Sequence, residues 1–153
     1  MKFSTREDIE APIDFVFDQI SDFEAFERSA LRRGAEVARL DDLSTPGPGM
    51  TWETKFHWRG RARELQFELT SFEKPDEMVI TSLSKSMGGH LKIDLVALSR
   101  GRTRMHFVTE MKPKNLTARL LIQSLRLARG RLNKRFKQGA QDYAKELESR
   151  YSR

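Results

Sequence analysis

The spacing of apolar residues in this sequence changes markedly near Lys112-Pro113. Before that point, apolar and polar residues alternate through several short segments, as they do in β-strands that bury one face. After it, apolar residues recur every three or four positions over about thirty residues, which predicts one long amphipathic helix. This is the only predicted element that is long enough to cover a whole sheet. Its apolar stripe consists of Leu121, Leu125, Ala128, Leu132, Phe136, Ala140, Tyr143 and Leu147.

Six segments between residues 35 and 111 are predicted to be strands, after a shorter one at residues 2–10. The clearest alternation lies in residues 50–58, where large apolar side chains at every second position share one face. Turns containing Gly or Pro separate the segments, so neighbouring segments are expected to pair antiparallel. The six segments are 35–42, 50–58, 61–73, 78–84, 90–98 and 103–111.

Two short helices are predicted between the first strand and the second. Pro12 suits the first turn of a helix, because its missing N–H would have no helical partner there in any case. Val16 and Ile20 then recur at helical spacing. Ser21 and Glu24 have the spacing of a capping box, which predicts that a second helix begins at Ser21.

These elements predict an α+β fold in one domain, residues 1–153. A curved antiparallel sheet of about six to seven strands would wrap around the long C-terminal helix, and the two short helices would follow the first strand. The chain has 153 residues, of which 38% are hydrophobic, and this suffices for one buried core. It contains no cysteine, and its first ten residues are charged where a signal peptide is apolar, so we expect a cytoplasmic protein.

Two stretches of the sequence resemble the START-like, helix-grip superfamily (SRPBCC). They are IEAPIDFVFDQISDFEAF at residues 9–26 and TEMKPKNLTARLL at residues 109–121. The superfamily includes plant proteins similar to pollen allergens (Bet v 1-like) and bacterial polyketide cyclase/dehydrase and lipid-transport proteins. The resemblance extends over the whole chain and implies a hydrophobic ligand held between sheet and long helix. Other members are cyclases or aromatases, handle ubiquinone or bind ribosomes, so the resemblance identifies a fold rather than one activity.

We therefore expect binding or transport of a hydrophobic small molecule, such as a lipid, a polyketide or a quinone-like compound. Side chains of the inward sheet face and of the early helix stripe would line the site, unless their bulk fills the interior completely. Thr54 and Thr109 share this face, where each hydroxyl either contacts the ligand or bonds to the sheet. The loop 44–49 and residues 115–119 are expected to gate entry of the ligand. The predicted ligand-binding residues are Trp52, Thr54, Phe56, Trp58, Leu65, Phe67, Leu69, Leu91, Ile93, Met105, Phe107, Thr109, Leu121, Leu125 and Ala128.

The sequence contains no recognisable catalytic or metal-binding set. His57 and His106 are out of phase with the apolar face, His90 follows two glycines, and no cysteine is present to complete a metal site. Phosphate-binding glycine motifs and the nucleophile motif of hydrolases are also missing. We expect no metal, no cofactor and no assigned catalytic residue. A polyketide cyclase or aromatase activity stays open as an alternative, because folding a reactive chain mainly needs a shaped cavity.

Charge is distributed unevenly along the chain, whose net charge is +6. Residues 112–137 hold nine Lys or Arg and no acid, whereas residues 7–27 hold eight Asp or Glu and no base. The basic helix face is either solvated or binds an anionic partner, such as RNA, a ribosome or an anionic surface. Such a partner would contact Arg126, Arg129 and Lys134. We expect no stable membrane insertion, because no stretch approaches the ~20 apolar residues of a membrane span.

Overall fold

Seven strands and four helices make up the chain in the computed structural model, which describes residues 1–153. The strands form one antiparallel sheet in the order β1-β7-β6-β5-β4-β3-β2. This confirms the predicted α+β class, with two short helices after the first strand and a long helix at the C-terminal end. The strands are β1 (Lys2–Ile9), β2 (Glu36–Arg39), β3 (Thr51–Trp58), β4 (Arg61–Glu73), β5 (Glu77–Ser82), β6 (Met87–Ser99) and β7 (Arg102–Pro113). The helices are α1 (Ile13–Ile20), α2 (Phe23–Arg32), α3 (Leu116–Arg126) and α4 (Arg129–Ser152).

The first strand of the chain pairs with the last. β1 lies antiparallel to β7, from the pair Lys2 and Glu110 to the pair Ile9 and Thr103. The strands from β2 to β7 follow one another as neighbours, so α1 and α2 carry the chain from one edge of the sheet to the other. Irregular pairing in β4 and in β6 marks β-bulges, which bend a strand and increase its twist. The sheet can therefore curve around the helix that covers it.

The C-terminal helical region is interrupted, so the prediction of one continuous helix was wrong. α3 ends at Arg126, and the amides of Leu127 and Ala128 hydrogen-bond to carbonyl oxygens three residues before them. α4 begins at Arg129, one residue before Gly130, and glycine is less favourable in a helix than most residues. α3 packs on β7, while α4 packs on β1 and α1. The stripe could not reveal the break, because apolar residues continue through it at steps of three and four.

The two short helices lie close to the predicted positions, but the second has a different cap. Asp22, rather than Ser21, caps α2, and its carboxylate accepts a 3.2 Å hydrogen bond from the amide of Ala25. The Ser21 hydroxyl instead donates to the carbonyl oxygen of Phe17 in α1. Serine and aspartate are both favoured caps, so residue type alone does not choose between adjacent candidates.

The hydrophobic core occupies one part of the space between the sheet and the helices. Phe17 of α1, Met105 of β7 and Leu147 of α4 are almost completely buried and belong to one packed cluster. Beside them, the buried Thr103 hydroxyl donates a 2.8 Å hydrogen bond to the carbonyl oxygen of Ala11. The core therefore joins α1, β7 and the C-terminal half of α4.

Asp41 anchors the connection between β2 and β3. Its carboxylate accepts hydrogen bonds from the Arg39 guanidinium (2.9 Å) and from the backbone amides of Thr51 (2.8 Å) and Leu43 (3.0 Å). The Arg39 hydrogen bond, together with the two amides, holds the pKa of Asp41 well below its usual range. An ionised Asp41 therefore stabilises the folded chain.

We expect the folded state to lose stability on acidification through Asp41. In the unfolded chain an aspartate titrates near pH ~4, so the contribution of Asp41 is complete above that pH. It is lost as the pH falls toward the lower pKa of the folded state. Asp41→Asn should therefore show a flatter decline in the free energy of unfolding between about pH 4 and pH 2, measured by urea titration. The exposed neighbour supplies the control, Asp42→Asn, and an unchanged acid slope in Asp41→Asn would contradict the prediction.

Candidate functional site

A cavity of about 530 Å³ lies between the sheet and α4. Fourteen of the eighteen residues in its wall are hydrophobic. Every strand except β1 and every helix except α3 contributes to the wall. The wall consists of Ile20, Phe23, Phe26, Glu27, Val37, Trp52, Thr54, Phe67, Met78, Ile80, Leu91, Ile93, Phe107, Arg135, Phe136, Gly139, Ala140 and Tyr143.

Two small residues of α4 make room for the cavity. Gly139 and Ala140 come between Phe136 and Tyr143 in the sequence, and all four residues belong to the cavity wall. A Cβ atom at Gly139 would meet no other residue within 4 Å. Gly139 is exposed at the edge of the cavity, so α4 contributes no side chain there to narrow it.

Side chains that face one another across neighbouring strands form the apolar floor of the cavity. Opposed residues on one face of an antiparallel sheet are close enough to pack, so each pair gives a continuous surface. The floor follows from the period-two alternation of the strands, which turns every second side chain inward. The three facing pairs are Trp52 and Phe67, Ile80 and Leu91, and Ile93 and Phe107.

Two polar groups at the cavity wall, and a third beside it that was predicted to belong to the site, are bonded within the protein. The indole N–H of Trp52 donates a 2.9 Å hydrogen bond to the carboxylate of Glu27. The hydroxyl of Thr54 donates a 3.0 Å hydrogen bond to a carbonyl oxygen of β4. Thr109 lies outside the wall and donates a 3.2 Å hydrogen bond to a carbonyl oxygen of β6. Of the two roles considered for these threonines, the structure shows bonding to the sheet.

Two polar groups of the wall, both on α4, have no bonding partner within the protein. The hydroxyl of Tyr143 is buried, and no protein group lies within hydrogen-bonding distance of it. Burial raises the pKa of this hydroxyl to about 12, so it is a neutral donor at physiological pH. The guanidinium of Arg135 has no carboxylate within 4.0 Å. Both groups can therefore donate hydrogen bonds to a ligand.

The cavity opens between α2 and α4. Phe26, Arg135 and Gly139 are the exposed residues of its wall, so they mark where the cavity meets solvent. The loop 44–49 and residues 115–119, which were expected to gate entry of the ligand, contribute nothing to the wall. Their role in gating entry stays a prediction, and α3, which follows Asn115, packs on β7.

Six of the fifteen predicted site residues line the cavity, and all six lie on the sheet. Leu69 and Met105 belong instead to the packed core, where both are fully buried. Each shares a strand face with a cavity residue but lies one inward position away, where the core fills the space. The six residues at the wall are Trp52, Thr54, Phe67, Leu91, Ile93 and Phe107.

Three further predicted residues on β3 and β4, Phe56, Trp58 and Leu65, lie outside the cavity wall. They continue the inward faces of their strands toward the β3–β4 turn. Trp58 is partly exposed there, and its ring lies under the guanidinium groups of Arg59 and Arg63. This part of the sheet therefore ends in a cation–π cluster rather than in a ligand site.

The helical residues predicted for the site also lie outside the wall. Leu121 and Leu125 belong to α3, and Ala128 lies at the break before α4. α3 packs on β7 and α4 packs on β1, and the part of the wall that comes from the C-terminal helical region begins only at Arg135. The sequence prediction assumed that one continuous helix packs the whole apolar stripe against the sheet.

The sequence prediction omits the parts of the wall that come from α1, α2, β2, β5 and α4. Phe136, Ala140 and Tyr143 belong to the predicted stripe, so the pattern contained them without showing where along the stripe the cavity lies. Gly139 is the signal that could have located it, because it removes a side chain next to the stripe. Arg135 belongs to the predicted basic face, and only the structure places it at the cavity opening.

The three histidines do not contribute to the cavity wall. No group of three or more His, Asp or Glu side chains is arranged to hold a metal ion. None of the four helices combines the length and the apolar composition that crossing a membrane requires.

Comparison with solved structures identifies the fold, although no protein-family model and no curated protein sequence matches the chain. The Zhui aromatase/cyclase from Streptomyces sp. R1128 is similar with a TM-score of 0.62 and 10% identity, over 88% of this chain and 88% of its own. Norcoclaurine synthase from Thalictrum flavum has a TM-score of 0.62 and 13% identity, over 82% of this chain and 76% of its own. A START superfamily protein from Mycobacterium smegmatis has a TM-score of 0.55 and 13% identity, over 88% of this chain and 95% of its own.

At these identities the similarity is one of fold and not of activity. It agrees with the order of elements, in which one strand and two short helices precede six strands and a C-terminal helical region. It also agrees with the two sequence stretches that resemble this group of proteins. The chain therefore has the helix-grip fold that these START-like proteins share.

Proposed function

We propose that this chain binds or transports a hydrophobic small molecule in the cavity beneath α4. The observation that carries the proposal is the cavity, which has a volume of about 530 Å³ and a wall with fourteen hydrophobic residues among eighteen. Small-molecule sites are usually concave and mostly apolar, with volumes of roughly 300–1,000 Å³. Norcoclaurine synthase, which has this fold, was solved in complex with dopamine and hydroxybenzaldehyde, and this also supports a small-molecule ligand.

Removal of apolar surface from water would drive the binding. A ligand that buries ~300 Å² gains ~7 kcal/mol at ~25 cal/mol/Å², before the costs of association. The floor of the cavity consists of side chains on five paired strands, so its shape exists before the ligand arrives. A preformed wall keeps the cost of ordering side chains low.

The two unbonded donors on α4 indicate that the ligand carries a hydrogen-bond acceptor. A buried donor without a partner costs about 1–3 kcal/mol, so an acceptor beside the Tyr143 hydroxyl would stabilise the complex. Arg135, at the opening, would attract a carbonyl or carboxylate oxygen. Quinones, polyketide-like ketones and fatty acids combine an apolar body with such an oxygen. We infer that the ligand belongs to this chemical class.

Binding or transport fits the cavity better than acid–base catalysis does. The titratable side chains of the wall are those of Glu27, Arg135 and Tyr143. A general acid or base works best with a pKa near the operating pH, whereas the pKa of Tyr143 is raised to about 12. Glu27 accepts the hydrogen bond of Trp52 and so has a structural role. The cyclase alternative would require turnover of a reactive polyketone by positioning alone.

Filling the cavity from α4 should weaken binding. Gly139→Leu places a side chain in open volume, so we expect the affinity for N-phenyl-naphthylamine, an apolar fluorescent probe, to fall at least about tenfold. The matched control is Gly130→Leu, because Gly130 lies on the same helix outside the cavity wall. Equal affinities of the two variants, measured by probe fluorescence, would contradict the site.

The two tryptophans provide a second measurement of the same site. Trp52 lines the cavity and Trp58 does not, and the chain has no other tryptophan. Decanoic acid does not absorb at the wavelengths of tryptophan fluorescence. Its addition should change the tryptophan emission of Trp58→Phe and leave that of Trp52→Phe unchanged. A response that depends on Trp58 would place the ligand elsewhere.

Removing the Tyr143 hydroxyl should weaken the binding only of ligands that carry a hydrogen-bond acceptor. We expect Tyr143→Phe to lose about five- to tenfold in affinity for naphthoquinone and nothing for naphthalene, because one hydrogen bond contributes about 1 kcal/mol. Tyr151→Phe is the control, since Tyr151 is 47% exposed and lies outside the wall. Calorimetric titration would measure both ligands.

An alkaline absorbance titration would test the assignment of this hydroxyl. The tyrosinate signal that Tyr143→Phe removes should have a pKa of about 12, because burial disfavours the charged form. If Tyr143→Phe weakens the binding of naphthoquinone and naphthalene equally, the hydroxyl does not bond to the ligand, and Tyr143 contributes only through packing.

A further inference from the structure

α3 presents a second apolar strip to solvent. Its inner side is buried, with Ala118 and Ile122 almost inaccessible. On its outer side, Leu116, Leu120 and Leu127 are 71%, 57% and 92% exposed. They follow one another at steps of four and seven residues, so they share one narrow strip of helix surface. The helix is therefore apolar on two opposite sides, and the sheet covers only one of them.

The exposed strip lies in a basic stretch of the chain. No Asp or Glu occurs in residues 111–141. The exposed Lys and Arg residues around the strip make no salt bridge, so their charges are available to a partner. These residues are Lys114, Arg119, Arg126, Arg131 and Lys134.

We propose that α3 docks onto the surface of an anionic lipid membrane. Leu116, Leu120 and Leu127 would enter the headgroup region, and the neighbouring Lys and Arg residues would contact lipid phosphates. An amphipathic helix with an apolar strip and a basic border lies in the plane of the membrane interface. Basic clusters are attracted to anionic lipids over about a Debye length, and the leucines add contacts once the helix arrives. α3 has only 11 residues, so this docking is reversible.

The side chains between the basic residues favour lipid over nucleic acid. Proteins that hold single-stranded nucleic acid place aromatic rings among their Lys and Arg residues, so that bases can stack. The exposed strip of α3 instead consists of leucines, which gain free energy on leaving water for an apolar phase. A phosphate backbone offers leucine no such environment.

The docking surface is separate from the cavity. No residue of α3 lines the cavity wall, so membrane binding does not depend on the ligand proposed above. The opening of the cavity lies between α2 and α4, and α4 directly follows the docking helix in the chain. Docking and ligand binding can therefore be tested independently.

Vesicle flotation with the full chain tests the proposal. We expect binding to phosphatidylcholine vesicles that contain about one-third phosphatidylglycerol, no binding to pure phosphatidylcholine, and a steep loss of binding as the salt concentration rises. Leu120→Ser/Leu127→Ser and Arg119→Glu/Arg126→Glu should each reduce the bound fraction at least about tenfold. All four side chains are exposed, and circular dichroism would verify that both variants fold.

Matched controls lie at the opposite end of β7. Leu98 is 41% exposed and Arg100 lies in the turn that precedes β7, so Leu98→Ser and Arg100→Glu should bind vesicles like the wild type. The proposal is overturned if the wild type does not bind anionic vesicles, or if the leucine variant binds them as tightly as the wild type. It is also overturned if an RNA oligonucleotide binds more tightly than the vesicles at equal salt and does so without the two leucines.

Discussion

The fold depends on covering the inner face of a seven-stranded antiparallel sheet, because its apolar side chains cannot remain in water. α4 has 24 residues and is therefore about 36 Å long, which lets it extend across the sheet. Toward its C-terminal end, Ala144 and Leu147 are buried in the core with α1. Nearer its middle, Gly139 and Ala140 leave volume open. One helix thus both closes the core and bounds the cavity, and it does so with different turns.

Acidic and basic residues are segregated along the chain. Acidic residues are concentrated in 7–27, which form the end of β1, α1 and part of α2, whereas basic residues are concentrated in 112–137, which reach into α3 and α4. Near an anionic surface this asymmetry favours the orientation in which α3 faces the lipid. Long-range attraction and the short-range contacts of the exposed leucines then select the same orientation. If both proposals hold, the chain would be a carrier that meets its ligand at a membrane.

The helices and strands were more predictable than the candidate site. Each helix or strand depends on residues that are close in the sequence, whereas a cavity depends on residues from many elements. The strand predicted at residues 61–73 has the same bounds in the structure, since alternation directly reflects the geometry of the strand. Phe67 and Leu69 share one face of that strand, yet only Phe67 lines the cavity. The difference depends on what lies opposite each residue, which spacing does not encode. The break at residues 127–128 was unpredictable for the same reason, because the apolar spacing continues through it while the packing partners change.

The pairing of β1 with β7 affects the order in which a newly made chain can fold. Lys2 lies beside Glu110, so more than about one hundred residues must leave the ribosome before this pair can form. At about 5–20 residues per second, β1 stays without its partner for at least about five seconds. α4, which packs on β1, is synthesised later still. During this interval the nascent chain exposes an unpaired strand edge and the apolar faces of α1 and α2, and both features favour aggregation.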